Sequence, residues 1–271
     1  MKTAYYTLAR LWGAGAVLFC LRLVQNRTGF DPETGLALPS AAGTALVAAL
    51  VLLAVLELIL VRRQSRERVS FTSHFSLPGR RSLTVLAVGC MLLAAGGCLL
   101  ALDGVTSGGV AAIVTGLLAL ASAGGLLVLT KQFRAGEVPG VAPVLPAMFF
   151  GVFLVLTVYL PAANDPVLPR YYLQILAAAI AAYAFSQLAG FLRRESRPRT
   201  FTVLADLAVM LCLAAMADGG RAVVLLFGGC AALLTVFRLL QRAWYLPEAE
   251  EENALGEAEM RHSPRASSRT G

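Results

Sequence analysis

Three side chains able to do chemistry fall inside otherwise apolar runs: Glu57, Gln187 and Asp206. An ionisable group at the centre of a bilayer costs about 3 kcal/mol on insertion scales, so such groups face a bundle interior, a partner charge or a cavity. Glu57 lies about one turn before Arg62. It either presents a proton-binding or substrate-binding carboxylate to the bundle, or reaches the interface and pairs with Arg62 or Arg63. Asp206 sits one turn into its run. It either pairs with an arginine of the cytoplasmic side or lines a cavity. Gln187 occupies nearly the place in its run that Glu57 has in its own. Together the three are the candidate contacts along a substrate path.

Other polar signals have simpler readings. Asp31, Asp103, Asp165 and Asp218 precede Pro or Gly, which is ordinary turn chemistry. Four carboxylates on one side could instead hold a divalent cation. Tyr159, Tyr171 and Tyr172 cluster where an interfacial aromatic belt is expected. The cysteines Cys20, Cys90, Cys98, Cys212 and Cys230 all lie in apolar runs and read as small hydrophobes. His74 and His262 lack a metal-ligand partner at suitable spacing, so no metal site and no cofactor are expected. There is no HExxH, no phosphate-binding loop and no Ser/His arrangement, so the chain reads as non-enzymatic.

The elements that must position these residues are membrane helices. Apolar residues make up 58% of the 271 and charged residues 14%, against about 25% charged in soluble domains. Runs of Leu, Ala, Val and Gly without alternation exclude a barrel and predict spans over 5–24, 42–61, 82–102, 109–130, 144–160, 170–192, 201–217 and 221–240. The first resembles a signal peptide but lacks a cleavage site, and is read as an uncleaved span flanked by snorkelling Arg22 and Arg27. Pairs such as Gly96-Gly97 and Gly228-Gly229 suit close helix approach; Gly96-Gly97 could alternatively break its helix. Beyond Pro247 the composition, acidic then basic, predicts a disordered tail.

The net charge of +7 is spread over short clusters at span ends and is no nucleic-acid signal. Arg62, Arg63, Arg66, Arg193, Arg194 and Arg197 are expected to meet lipid headgroups and set topology. Lys131, Arg134, Arg238 and the N-terminal Lys2 and Arg10 fall on the same side. Arg22, Arg27, Arg170 and Arg221 fall on the other. The positive-inside rule therefore puts both termini in the cytoplasm.

Five landmarks recur in order: Asp-Pro, Leu-Pro, Arg-Arg-x-Ser-Arg (Arg62 to Arg66; Arg193 to Arg197), Thr-Val-Leu-Ala (Thr84; Thr202) and Asp-Gly (Asp103; Asp218). They divide the chain into a first four-helix unit over 1–135, a second over 136–246 and the tail over 247–271. An even number of spans per unit makes the repeats parallel. The expected fold is an all-α polytopic bundle of eight helices in two parallel four-helix repeats. Many transporters built from repeats bind substrate between the halves.

The stretch Phe30-Asp31-Pro32-Glu33-Thr34-Gly35-Leu36 resembles the first outside loop of uncharacterised multi-pass proteins of anaerobic Firmicutes. That resemblance implies a bacterial plasma membrane and no particular activity. Two functions remain open. One is a small-solute transporter or permease-like protein working between the halves. The other is a non-enzymatic membrane module meeting a protein partner through its basic cytoplasmic loops and acidic tail.

Overall fold

The computed structural model describes residues 2–31, 36–62, 71–76, 78–134, 144–160, 171–193 and 195–241. The helices are α1 (Lys2–Thr28), α2 (Ala41–Leu60), α3 (Phe71–His74), α4 (Arg80–Ser107), α5 (Val110–Arg134), α6 (Val144–Val152), α7 (Tyr172–Gly190), α8 (Pro198–Ala215) and α9 (Arg221–Leu240). A π-helical stretch, Phe153–Tyr159, continues α6. Among the described residues there is no strand, only the isolated bridges Phe30–Ala37 and Phe75–Gln241. Among the described residues seven helices are long and apolar enough to cross a membrane, and an eighth apolar helix, Val144–Val158, is shorter. The protein is an all-α, multi-pass membrane bundle.

Local chemistry sets the helix ends. Ser40 caps α2 by accepting from the Gly43 N–H at 3.0 Å. Gly108, at φ 72°, ends α4 in the left-handed conformation that a side chain would strain. Pro198 opens α8, where its missing N–H costs nothing. Asp103-Gly104 lies within α4, not beyond it, because the helix runs on to Ser107 before Gly108 stops it.

Six helices pack as a closed ring, α4 against α5 and α9, α8 against α9 and α7, and α6 against α7 and α5. The ring is filled. Phe150 of α6 stacks on Phe185 of α7 at 5.8 Å, and Phe153 meets Phe227 of α9 edge-on at 5.8 Å. Outside the ring, α1 lies along α8, and α2 lies on α1. Accordingly 67% of α8's apolar window is buried, but only 11% of α2's. Helices of the two sequence units interleave: α4 packs on α9 and α1 on α8.

Glycine faces permit this packing. A Cβ on Gly229 would lie 2.8 Å from the Leu93 backbone nitrogen and 2.9 Å from the Gly89 carbonyl. On the other side of α4, a Cβ on Gly97 would lie 2.8 Å from the Gly116 carbonyl of α5. Gly96-Gly97 therefore does not break α4: Gly96 faces α9, Gly97 faces α5, and the helix is continuous. Gly229→Ala is expected to lower stability by about 1–3 kcal/mol through overpacking against backbone. Gly124→Ala, with nothing within 4 Å of the added carbon, should be neutral or gain up to about 1 kcal/mol from helix propensity. Thermal melts of both variants in detergent check the pair.

The expected tail over 247–271 lies outside the described residues, as do Arg63, Arg66, Arg194 and Asp165.

Candidate functional site: a lateral groove with a charged collar

The bundle has a near face, where α1, α4, α6 and α8 begin, and a far face, where they end. On the near side, Arg10 of α1 joins both acidic candidates. Its Nη2 lies 3.1 Å from Glu57 Oε2 and 2.8 Å from Asp206 Oδ2. Arg238 of α9 donates from Nε to Asp206 Oδ1 at 2.9 Å and from Nη1 to Gln241 Oε1 at 3.3 Å. Gln241 in turn donates to Thr202 Oγ1 at 2.7 Å. Glu57 and Asp206 are buried, at 1% and 0% exposure. The cluster is formally neutral and ties α1, α2, α8 and α9 together.

Both acids have arginine partners among the described residues. Among the described residues Glu57 pairs with Arg10 rather than Arg62, because α1 lies beside α2 and its guanidinium reaches the deeper carboxylate. Asp206 pairs with two arginines. Arg10 and Arg238, counted from sequence among the cytoplasmic-side charges, are bundle residues. Gln187 is half-buried on α7, and no hydrogen bond or ion pair joins its side chain to Glu57 or Asp206 among the described residues. Its carbonyl accepts from Ser196 Oγ at 2.6 Å.

The three candidates share a relation to a groove of about 280 Å³ between α1, α2, α7 and α8. Leu18, Leu50, Ala54, Ile180, Leu207 and Met210 contribute to its wholly apolar lining. Val51 and Leu176, also in the wall, are 59% and 40% exposed, so the groove opens sideways. Helix residues three, four or seven apart share a face. Glu57 follows Leu53 by four and Leu50 by seven. Gln187 follows Ile180 by seven, and Asp206 precedes Met210 by four. Each candidate thus lies one or two turns nearer the near face than a groove residue on its own helix stripe. Glu57 and Asp206, with Arg10, form a charged collar on the near side of the apolar slot, and Gln187 lies on the α7 stripe without a bond to them among the described residues.

A second charged group sits on the far side. Arg22, fully buried, donates from Nε to Asp218 Oδ1 and from Nη1 to Gln25 Oε1 at 2.8 Å. Its guanidinium lies 5.0 Å from the centre of the Tyr172 ring, and Asn26 donates to the Ala217 carbonyl at 3.0 Å. Arg22 is therefore not a snorkelling residue. A carboxylate from the 3-10 turn Met216–Asp218 that follows α8 meets it inside the bundle, and pairing satisfies the charge where lipid would not. Asp218 likewise does more than end a turn, although Gly219 and Gly220 follow it at positive φ. The two Arg–Asp pairs made by α1 each span 196 residues in sequence, so α1 and α8 run parallel in one register. Equal spacing of Arg10/Arg22 and Asp206/Asp218 was the sequence signal for this ladder, with rungs about 18 Å apart at 1.5 Å per residue.

The near face is closed in part by α3. Phe75 is inserted edge-on to Phe191, Phe201 and Phe237, and Ser76 N–H and Oγ both donate to the Leu240 carbonyl, at 2.8 and 2.9 Å. His74, between α2 and α4 in the chain, is fully buried and stacked on Phe191 at 4.8 Å. Neither ring nitrogen has a hydrogen-bond partner. Burial, with Arg238 adding repulsion, lowers its pKa to about 4. The undocked segment then takes up a proton, near the ordinary value of about 6.5, that the docked one refuses. Docking is at full strength above pH about 6.5. It weakens as pH falls towards 4, by up to about tenfold per unit. Hydrogen exchange at Phe75 and Ser76, corrected for intrinsic rate, should show this loss of protection. In His74→Phe the dependence should vanish.

Among the described residues no group of three or more His, Cys, Asp or Glu could hold a metal ion. Comparison with protein-family models, curated proteins and solved structures returns no match.

Proposed function

We propose that the chain is a non-enzymatic, permease-like membrane protein that takes an apolar or amphiphilic small molecule from the bilayer into the lateral groove. The observation that carries this reading is the groove itself. It is apolar, it opens to the lipid-facing surface, and its walls come from α1 and α2 of the first sequence unit and α7 and α8 of the second. That is the place a duplicated transporter uses. We take residues 1–135 and 136–246 as the duplicated units, a bacterial plasma membrane as the setting and the near face as cytoplasmic. The concentration of arginine there supports the orientation. Glu57, Gln187 and Asp206 form the polar end of the path. Because Arg10 and Arg238 neutralise the two carboxylates, the collar fits facilitated passage better than ion-driven pumping.

The charge pairing also favours a second reading, a rigid module stapled for assembly with a protein partner at its cytoplasmic face. Leaflet exchange of a fluorescent amphiphile in proteoliposomes separates the two. Under the permease reading the protein accelerates exchange, and Ile180→Trp, which fills the groove, returns it to the protein-free rate with the fold intact. Exchange at the protein-free rate in the unaltered protein would leave the module.

A further inference from the structure

We propose that the groove's occupant is an anionic glycerophospholipid, one acyl chain lying between α2 and α7 and its phosphate held at the near face by Arg62, Arg193 and Arg197. The inference deepens the groove reading above and rests on it.

Three helices that wall the groove each meet the near face at an exposed arginine. α2 ends at Leu60, with Arg62 two residues on. α7 passes into the 3-10 turn Phe191–Arg193. α8 starts from Arg197 as its N-cap. No ion pair engages any of the three among the described residues, and Glu195 is an exposed acid between two of them. The start of α8 adds a second attraction. Its N-cap makes no side-chain hydrogen bond, so the first free N–H groups and the positive end of the helix dipole face the same region. Basic sites between helices at this face suit lipid phosphates.

The interior does not oppose an anion. Glu57 and Asp206 are the nearest acids on the groove stripes, and Arg10 and Arg238 already neutralise them. Size sets the stoichiometry. A groove of about 280 Å³ lies at the low end of small-molecule sites. It takes a length of one chain and leaves the second in the bilayer. The side opening at Val51 and Leu176 lets the chain enter without crossing the collar.

The expected selectivity is roughly fivefold per arginine and about a hundredfold for three. The test uses phosphatidylglycerol and phosphatidylcholine bearing the same diazirine acyl chain, in phosphatidylcholine vesicles containing the full-length protein. The phosphatidylglycerol probe should label peptides containing Val51 to Ala54 and Leu207 to Leu211 strongly, and the phosphatidylcholine probe weakly. Arg62→Gln/Arg193→Gln/Arg197→Gln should equalise them, the corresponding Lys variant should keep the preference, and soluble glycerol phosphate should not compete. Equal labelling in the unaltered protein, or a preference that survives the Gln variant, overturns the proposal. Competition by glycerol phosphate does so too, since the site would then be for a free phosphate. An uncharged diazirine alkane separates the two levels. Its failure to label the groove refutes the groove reading itself, whereas labelling by the alkane without headgroup preference refutes only the lipid.

Discussion

Asp206→Leu is expected to lose about 3 kcal/mol of stability, a fall in Tm on the order of 10 °C for a chain of this size. The carboxylate is fully buried and serves two guanidiniums, Arg10 at 2.8 Å and Arg238 at 2.9 Å. Its loss leaves Arg238, 16% exposed as a side chain, with only Gln241. Arg10 keeps Glu57, which limits the cost. Removing an ion and its stranded partner together is close to neutral when the replacements pack well, so Asp206→Leu/Arg238→Leu should recover most of the loss. The free, buried thiols of Cys90, Cys212 and Cys230 make a thiol-reactive dye a direct readout of unfolding in detergent. A loss under about 1 kcal/mol in the single variant would mean that water, not protein, solvates the pair.

Arg22→Met should cost about 3–5 kcal/mol. Arg22 is fully buried and reaches Asp218, Gln25 and the faces of Tyr172 and Phe30. The substitution leaves Asp218, 4% exposed as a side chain, with the Asn26 amide at 3.3 Å. Arg22→Lys keeps the charge but not the planar fork, so it should fall between the native protein and Met. Arg22→Met/Asp218→Leu should again recover most of the stability. The same melts decide it. If the double variant is no better than Arg22→Met, the arginine acts through packing on Tyr172 rather than through the ion pair.

The two rungs explain why part of the site was legible and part was not. Glu57 and Asp206 stand out because an ionisable residue in an apolar run is conspicuous whatever surrounds it. Their partners do not stand out. Arg10 and Arg22 lie near the ends of a run, where an arginine ordinarily reaches the interface, and only the position of α8 beside α1 shows that both point inward. The burial of His74 was not legible for a related reason. A histidine among arginines has the composition of a solvated loop, but His74 stacks on Phe191 and the adjacent Phe75 finds an aromatic socket formed by α8, α9 and the turn after α7. Gly96-Gly97 was ambiguous because adjacent small residues either loosen a helix or serve two neighbours at once. The answer required knowing that α9 and α5 flank α4.

By itself the sequence determined the solvent, the helices and the conspicuous charges. Those follow from local sums: some twenty apolar residues span a bilayer, a backbone in lipid must form helices, and glycine and proline stop or start them. The tertiary structure alone decided which helices touch, hence the partner of every buried charge, the filled ring and the groove at the collar. Those depend on contacts across as many as 223 residues. Such contacts are set by whether two backbones can approach at Gly89 and Gly229, or two charges can meet in register along α1 and α8, which composition along the chain does not encode.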